Sequence, residues 1–436
     1  MYARTTSRPR RRHIVGAMDA AVIGGGVIGL CAAEALARRG AEVTVIEAGE
    51  WGAGASAGNA GWVSPGISNP LPAPGTVLQA LRWMPDPGSP LLVRPVARLS
   101  FLRWSWDFWR STRPRRYSAG MAALVALCDR AVADYEALAE RGVEFELHDR
   151  GLLFVARDRR VLDAELSVLR DVQALGYDGE LRMLDQAALR ALEPALSEQL
   201  VGAIHSLGER HVRPETVAAG LVERLTADGA DLRPRTAVRR LAREGGRWSI
   251  ACDGGTVRAD RVVLAAGAAS GELLAPLGVR LPLEGAKGYS VTLEGAEPPL
   301  GGPVYLLEDK LALTPFDRAL RAAGTLELGA RDLRLDRRRL DAVERAARRS
   351  LEGWAAVGER REWAGFRPLT PDGLPVIGPV PGLPGLHVAT GHSMLGVTLA
   401  ATTGELLAPA VLDGRPPLPL APFSIARYDN RAPAAA

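Results

Sequence analysis

The chain has 436 residues, of which 47% are hydrophobic, and its formal net charge is +4. This length exceeds what one simple core accommodates, so two domains of unequal size are expected. The excess positive charge belongs to residues 1–17, where five arginines occur without an acid; without these five, the 54 basic residues become 49 against 50 acidic residues. A near-neutral body argues against a nucleic-acid-binding protein.

Residues 1–17 are predicted to be a disordered basic extension. No apolar segment follows these arginines before Met18, so a secretory or twin-arginine signal is not expected. No segment approaches the roughly 18 apolar residues of a membrane span. The three cysteines, Cys31, Cys128 and Cys252, are too few and too unevenly spaced for a disulfide framework or a metal site. The expected location is the cytoplasm.

Residues 21–47 have the pattern of a strand, a glycine turn, an amphipathic helix and a second strand ending in a carboxylate. Gly24 permits the tight turn, Gly26 lets a pyrophosphate approach the backbone, and Gly29 lets the helix pack closely on the strand. Glu47 stands where a carboxylate accepts hydrogen bonds from a ribose diol. The segment therefore predicts an α/β dinucleotide-binding domain of the Rossmann type.

Beyond Glu47 the strand-helix alternation stops. Residues 51–66 form a glycine-rich loop of the kind that brings backbone close to a ligand. Helical patterns at about 121–141 and 161–176 flank a polar strand at about 144–156. Because none of these segments resembles a second nucleotide unit, they are assigned to another domain.

The nucleotide domain resumes after residue 206. A helix begins at Pro214, and the apolar segment 260–267 ends in Ala-Ala-Gly, which suits a buried strand whose tip lies beside a cofactor. Strand-like alternation returns over residues 279–335 and is followed by a charged helix. The predicted nucleotide domain comprises residues 18–66, 207–278 and 359–436, and the predicted α+β substrate domain comprises residues 67–206 and 279–358.

Residues 94–116 form a basic aromatic segment with seven arginines, one acid and five aromatic residues. Such a segment either lies on a membrane surface or packs its rings inward and exposes its charges to water. The sequence leaves both alternatives open, and a peripheral position on the inner face of the membrane is one of them.

Several motifs, in chain order, resemble those of the D-amino-acid oxidase superfamily of FAD enzymes, most closely the small-subunit type of D-amino-acid dehydrogenase. Two departures are visible. Ser393 and Met394 stand where the dehydrogenases usually have Gly-Thr, and residues 253–436 lack the cysteine that attaches flavin covalently in some members. The motifs are Val22–Gly29, Asn59–Gly66, Leu81–Met84, Lys287–Ser290, Gly365–Gly373 and Gly391–Gly396.

The resemblance implies non-covalent FAD, an interrupted nucleotide domain and a mixed antiparallel sheet over the substrate side of the flavin. It also extends the predicted cofactor site well beyond the glycine turn. The predicted cofactor-binding residues are Gly24, Gly25, Gly26, Val27, Ile28, Gly29, Glu47, Ser56, Asn59, Ala60, Gly61, Val63, Val238, Ala266, Gly267, Gly391, Leu395, Gly396 and Thr398.

Oxidation of an amino acid at flavin N5 requires a rigidly held carboxylate. Arg367 is predicted to clamp it, because the guanidinium fork binds both oxygens and the family places an arginine in this Gly-Phe-Arg-Pro motif. Tyr289 is expected either to donate to the substrate or to be a half-buried strand residue. His392 is expected to contact the flavin or to cap the turn before a helix that starts near Gly396 and points its N-terminus at the flavin.

The predicted activity is FAD-dependent oxidative deamination of a D-amino acid to the 2-oxo acid and ammonia, with hydride transfer from the α-carbon to flavin N5. One alternative is oxidation of a secondary amine or imino acid, such as D-proline, D-hydroxyproline, glycine or an opine, on the same scaffold. Another is a non-catalytic FAD-binding subunit. The electron acceptor is expected to be oxygen or a membrane quinone.

Overall fold

The computed structural model describes residues 18–83, 88–94, 96–295, 299–352, 354 and 359–428. The basic extension of residues 1–17 and Met84 of the third family motif lie outside the described residues.

Helices and strands alternate along the described chain. The helices are α1 (Val27–Arg38), α2 (Thr76–Trp83), α3 (Leu99–Ser111), α4 (Pro114–Cys128), α5 (Ala131–Glu140), α6 (Arg159–Ala174), α7 (Gln186–Leu192), α8 (Pro214–Ala227), α9 (Ser270–Leu274), α10 (Arg337–Ser350) and α11 (Ala400–Leu412). The strands are β1 (Asp19–Ile23), β2 (Glu42–Ile46), β3 (Trp62–Val63), β4 (Leu91–Val93), β5 (Leu147–His148), β6 (Leu152–Ala156), β7 (Leu181–Asp185), β8 (Gly202–Ser206), β9 (Arg210–Val212), β10 (Asp231–Arg233), β11 (Val238–Glu244), β12 (Arg247–Cys252), β13 (Gly255–Ala259), β14 (Arg261–Leu264), β15 (Glu284–Glu294), β16 (Val304–Leu306), β17 (Leu311–Phe316), β18 (Ala319–Leu328), β19 (Glu359–Leu369), β20 (Val376–Pro379) and β21 (Leu386–Thr390).

The first sheet has the strand order β10-β2-β1-β14-β21-β20 and is parallel except at β20. Four of the five residues of β1 are buried, as expected for a central parallel strand covered on both faces. On one face, α1 packs against α8 and α11 through a continuous apolar core. The carboxyl ends of β1, β2 and β14 therefore meet at one edge of the sheet, where a ligand binds in folds of this type.

The second sheet has nine strands and is mainly antiparallel. Its longest pairing joins β15 to β19, with a register that runs from Glu284 opposite Leu369 to Glu294 opposite Glu359. The charged helix α10 covers one face, packing Leu340 and Val343 into a core with β15. The other face of β15 and β19 is turned towards the glycine-rich loop.

Two smaller sheets complete the fold. Strands β11, β12 and β13 form an antiparallel meander. Strands β3, β9 and β5 form a three-stranded sheet in which the end of the glycine-rich loop pairs with β9. No helix among the described residues has the length and apolar character needed to cross a membrane.

The predicted fold class is confirmed, but the structure changes three local assignments. Residues 359–369 were assigned to the nucleotide domain, whereas β19 pairs with β15 in the nine-stranded sheet. Helices α4 and α5 were assigned to the substrate domain, yet Leu124 and Tyr135 are buried in the same core as α1. The strand predicted as polar, β6, is buried along its whole length because both of its faces are covered, one by α6 and the other by the core that contains α10.

Candidate active site

The glycine turn after β1 is packed so tightly that side chains are excluded. Gly24 has φ +115°, and a Cβ there would lie 2.3 Å from the carbonyl oxygen of Ala265. A Cβ on Gly29 would lie 1.9 Å from the carbonyl oxygen of Gly24. These two glycines are therefore required for packing α1 onto β1 and β14, as the sequence predicted.

Gly26 has a different role in the same turn. It is the residue before α1, and a Cβ there would meet only the Oγ of Ser56, at 3.3 Å. The Val27 N–H donates to that Oγ at 3.2 Å, and the first turn of α1 contains no acidic side chain. The helix N-terminus thus offers positive potential at a position where the Ser56 hydroxyl is the neighbour of Gly26, which fits a pyrophosphate. The side chain of Ile28 is half-buried and packs against the apolar core that contains α1.

Glu47 follows β2 at the same edge of the sheet. Its carboxylate accepts the Gly25 N–H at 2.6 Å and the Gly49 N–H at 2.7 Å, and the ring of Trp51 packs over Gly25. Each carboxylate oxygen keeps further acceptor capacity. Glu47 is therefore fixed where a ribose diol would find an acceptor, and its role as a ribose ligand stays a prediction.

The glycine-rich loop lies between the first sheet and the nine-stranded sheet. A Cβ on Gly58 would lie 1.9 Å from the ring of Trp363 on β19, and a Cβ on Gly61, whose φ is +81°, would lie 2.1 Å from the Val212 carbonyl oxygen. Asn59 Oδ1 accepts the Gly61 N–H at 2.8 Å. The glycines therefore allow the loop backbone to lie close to β19 on one side and to Val212 on the other. Of the other predicted residues, Ala60 is half-buried and Val63 is fully buried.

Arg321 on β18 holds this loop against the substrate sheet. Its guanidinium donates to the Asn59 carbonyl oxygen at 2.8 Å and to Thr292 Oγ1 at 2.9 Å, and it pairs with Glu215 on α8. The side chain is almost entirely buried. Sequence reasoning missed this residue because nothing near Arg321 along the chain indicates a contact 262 residues away.

The remaining predicted cofactor residues from the middle of the chain surround the same edge. Ala266 and Gly267 follow β14, and the Gly267 carbonyl oxygen accepts the Thr390 hydroxyl at 2.9 Å. Val238 begins β11 and is half-buried, two residues after Thr236, whose N–H donates to the Glu47 carbonyl oxygen at 2.7 Å. The structure therefore brings all three residues near the end of β2 or of β14.

The segment from Gly391 to Thr398 forms turns that connect β21 to α11. Gly391 and Ser393 both have left-handed backbone conformations, with φ of +74° and +53°. The Ser393 N–H donates to the Pro368 carbonyl oxygen at 3.1 Å, which places the segment beside the end of β19. The Ser393 hydroxyl is buried and lacks a hydrogen-bond partner among the described residues. Thr398 Oγ1 donates to the Trp62 carbonyl oxygen at 2.9 Å.

The helix after this segment begins at Ala400, later than the predicted start near Gly396. The turns of residues 396–399 come first because Leu399 still has φ −94° and ψ 3°, outside the helical range. Leu395 packs against the core that contains α11. The first turn of α11 has no acidic side chain, so its terminal N–H groups retain their positive potential.

His392 contacts α11 through its side chain. It is buried, and its Nε2 lies 3.0 Å from the Oγ1 of Thr403 on α11. Burial lowers the pKa of His392 to about 3, so the ring is neutral at physiological pH. The contact joins two side chains, so contact with the flavin and capping of the turn both stay predictions for His392.

Arg367 lies on the face of β19 that is turned towards the glycine-rich loop. Its guanidinium contacts Gly288, where a Cβ would lie 2.7 Å from the guanidinium carbon, and it donates to the Thr325 carbonyl oxygen at 3.1 Å. The Arg367 side chain is half-buried, and burial lowers its pKa to about 10. Arg367 is therefore a cation at neutral pH that pairs with no carboxylate among the described residues.

Tyr305 on β16 is the second polar group beside Arg367. Burial raises the pKa of its phenol, and the nearby charge of Arg367 partly offsets that rise. The ring stands edge-on to Trp62, with centroids 5.5 Å apart. Sequence reasoning missed Tyr305 because its short Val-Tyr-Leu strand has no motif.

Tyr289 does not belong to this group. It is fully buried on the opposite face of β15, in the core beneath α10, and its hydroxyl donates to Glu327 at 2.6 Å. Side chains alternate between the faces of a strand, so Tyr289 points away when its neighbour Gly288 contacts Arg367. The prediction that Tyr289 donates to the substrate is therefore wrong.

One cluster elsewhere has the residue types of a metal site. Glu146, His148 and Asp317 lie together, and His148 Nε2 is 2.8 Å from Glu146 Oε1. That contact is a hydrogen bond between the potential ligands themselves. Burial raises the pKa of Cys31 and Cys128 far above the physiological range, so both thiols are protonated at neutral pH.

The chain matches the model of the DAO family, described as FAD dependent oxidoreductases, over residues 19–410. The chain belongs to this family. FAD is therefore its cofactor, and a helix N-terminus that starts after a glycine and has no acid in its first turn fits that group.

Solved structures with the same fold cover nearly the whole of this DAO-family chain. Glycine oxidase from Geobacillus kaustophilus is 26% identical, with a TM-score of 0.74 over 95% of this chain and 99% of that one. Iminodiacetate oxidase from Chelativorans sp. BNC1 is 25% identical, with a TM-score of 0.72 over 93% and 98%. L-proline dehydrogenase from P. horikoshii is 20% identical, with a TM-score of 0.70 over 94% and 98%, and shows the fold alone.

Proposed function

We propose that this protein uses FAD to oxidise an amino acid whose carboxylate is held by Arg367. The observation that supports this most directly is a half-buried cation that has no carboxylate partner among the described residues. A partly desolvated cation without a counter-charge is unfavourable, and the carboxylate of a bound substrate would supply that counter-charge. The guanidinium fork suits two carboxylate oxygens better than an ammonium would.

Tyr305 is the second proposed substrate contact. It is half-buried beside Arg367, and its raised pKa keeps the phenol protonated at physiological pH. A neutral hydroxyl near the guanidinium donates a further hydrogen bond to the carboxylate. Trp62, against which the Tyr305 ring packs, forms an apolar wall that excludes water from the contact.

The proposed cofactor ligands are the backbone of the glycine turn for the pyrophosphate, Glu47 for the ribose, and the loops around Asn59 and Gly391 for the ring system. When bound, FAD supplies the acceptor for a hydride from the substrate carbon. The chain orients that carbon by fixing the carboxylate, and no described side chain is required as a general base. The amine must be neutral when the carbon–hydrogen bond breaks, so it loses a proton to solvent.

We infer a D-amino acid as the leading substrate, because the motifs resemble those of D-amino-acid dehydrogenases. Loss of a hydride and a proton gives an imine, which water hydrolyses to the 2-oxo acid and ammonia. The FAD is proposed to be non-covalent, since the three cysteines lie in the first 252 residues and two of them are deeply buried. Oxygen or a membrane quinone accepts the electrons.

A second candidate is glycine or a secondary amine. It is favoured by the two structural neighbours of at least 25% identity, which are named as oxidases of glycine and of iminodiacetate. Both of those substrates lack a side chain on the carbon that is oxidised. An amine of this kind would need the same carboxylate anchor at Arg367.

An anaerobic screen of D-amino acids, L-amino acids, glycine and iminodiacetate tests both candidates. Loss of the visible absorbance of the flavin identifies the substrate, and the product identifies the reaction. A D-amino acid should give ammonia and a 2-oxo acid, whereas iminodiacetate should give a primary amine and no ammonia. Absorbance that no amine changes would indicate the non-catalytic FAD-binding subunit and overturn the proposal. Hydrogen peroxide formation in air then distinguishes oxygen from a quinone as acceptor.

A further inference from the structure

The outer side of α3 exposes four large apolar side chains. Leu99 is 63% exposed, Leu102 58%, Trp106 58% and Trp109 44%. At 100° per residue these four lie within an arc of about 80° on the helix. We call them the outer apolar face of α3. Single exposed apolar residues are ordinary, but four on one face of one helix mark an interaction surface.

The opposite side of α3 is fixed to the protein. Phe101 and Trp104 are buried, and the Trp104 indole N–H donates to the Leu369 carbonyl oxygen at 3.2 Å. The ring of Trp104 also stacks on Phe108, with centroids 5.2 Å apart. The outer apolar face is therefore held outward by a well-packed inner face.

Several arginines near this face form no ion pair with a described residue. Asp107, the one acid in residues 94–116, lies 3.5 Å from Arg280, and Arg98 pairs with Glu284 at 2.8 Å. The arginines of this segment that form no ion pair with a described residue are Arg103, Arg110, Arg113, Arg115 and Arg116.

We propose that the outer apolar face of α3 docks onto the surface of an anionic lipid bilayer. A second copy of the chain is a poor occupant, because a twofold contact would bring two sets of unpaired arginines together. Tryptophan, leucine and arginine on one helix face are the composition that binds the boundary between headgroups and acyl chains. Arg113 lies over the Trp109 ring, 5.7 Å from its centroid, so charge and aromatic surface are adjacent as such binding requires.

Docking in this orientation has a consequence for the active site. Trp104 contacts Leu369, which is two residues from Arg367 on β19. The lipid surface would therefore lie on the side of the molecule where α3 covers the carboxyl end of β19. A lipid-soluble acceptor would be concentrated there, and this holds whichever amine is the substrate.

The test is co-sedimentation of the full-length holoenzyme with vesicles of phosphatidylcholine alone or mixed with phosphatidylglycerol. Binding is expected only to the mixed vesicles and should weaken as salt is added. The double variant Trp106→Ser/Trp109→Ser should lose at least about tenfold in partition, because it removes apolar surface that inserts at the boundary. Arg103→Gln/Arg116→Gln should lose about fivefold for each arginine.

The matched control is Arg160→Gln/Arg240→Gln, which removes two exposed arginines elsewhere and should bind like the parent. FAD content and melting temperature verify that each variant is folded. If both α3 variants bind the vesicles as well as the parent does, another basic segment is responsible for binding and the proposal is overturned. Conversion of a dimer to a monomer by the tryptophan variant, without any change in vesicle binding, would identify a subunit interface and overturn it as well.

Discussion

The proposed cofactor turn after β1 and the proposed substrate pocket around Arg367 would bind their ligands in opposite ways. In the turn, backbone groups would bind the pyrophosphate and side chains must be absent, so the sequence requires glycine at fixed spacing. In the pocket, one side chain from β19 meets a carbonyl oxygen from β18 and a phenol from β16. The glycine turn is a local site, defined by residues that are close together in the sequence. The Arg367 site is non-local, because the register of the sheet decides which side chains meet there.

The largest expected effect is a difference in stability between variants of two glycines in the turn. Gly29→Val should destabilise the protein by more than about 3 kcal/mol, because its Cβ would lie 1.9 Å from a backbone oxygen that cannot move without shifting β1. Gly26→Val should fold, since its φ of −74° and ψ of 172° suit any residue and its Cβ meets only the Ser56 hydroxyl. Thermal unfolding of the apoproteins measures the difference.

The same pair tests the cofactor site. Gly26→Val should be folded but colourless, because the new side chain occupies the space needed by the pyrophosphate. Acid precipitation of the parent should release free FAD into the supernatant. A fully yellow Gly26→Val protein would show that the pyrophosphate lies elsewhere, and flavin left in the parent's pellet would show covalent attachment.

Arg367→Lys tests the pocket. The variant keeps the charge but loses the fork, so the apparent KM should rise strongly and kcat/KM should fall by about 30- to 1,000-fold, equivalent to roughly 2–4 kcal/mol. FAD content should stay normal, because the proposed partner of Arg367 is the substrate and not the cofactor. Steady-state kinetics and the absorbance ratio of flavin to protein measure both. Unchanged kinetics, or loss of the flavin, would move the carboxylate site to another residue.

Two tyrosines on neighbouring parts of the sheet give a smaller and sharper contrast. Tyr305→Phe should raise KM and lower kcat/KM by about 5- to 30-fold, the effect of one lost hydrogen bond to a charged group. Tyr289→Phe should leave KM unchanged and lower stability by about 1–2 kcal/mol, because it removes the donor to the buried Glu327 carboxylate. If Tyr289→Phe alters KM and Tyr305→Phe does not, the assignment of the two sheet faces is incorrect.

An effect of similar size concerns acid stability. Burial lowers the pKa of His387 to about 4, below its unfolded value near 6.5. The unfolded state therefore binds the proton more readily, so the stabilisation is complete above pH 6.5 and is lost as the pH falls towards 4. His387→Gln should cancel about 2 kcal/mol of the decline in unfolding free energy between pH 7 and pH 5. Denaturant unfolding at both pH values, with FAD at saturation, measures it; equal declines in parent and variant would contradict the assignment.

The sequence alone determined the glycine cradle and the family, because the cradle depends on residue types at short spacing and the family on several such motifs in chain order. Gly24 and Gly29 have the predicted packing contacts, and the helix predicted to begin at Pro214 is α8. Gly-Phe-Arg-Pro indicated the arginine by motif, although its role as a clamp stays a prediction.

Only the tertiary structure decided which side chains share the pocket. Tyr289 was assigned to the site from its motif, yet the pleat of β15 turns it beneath α10, while Tyr305 arrives from a strand with no motif. Arg321 reaches the glycine-rich loop across 262 residues, and β19 joins the substrate sheet through its pairing with β15. Such contacts depend on strand register and face, and a shift of one residue reverses them, so local sequence patterns do not specify them.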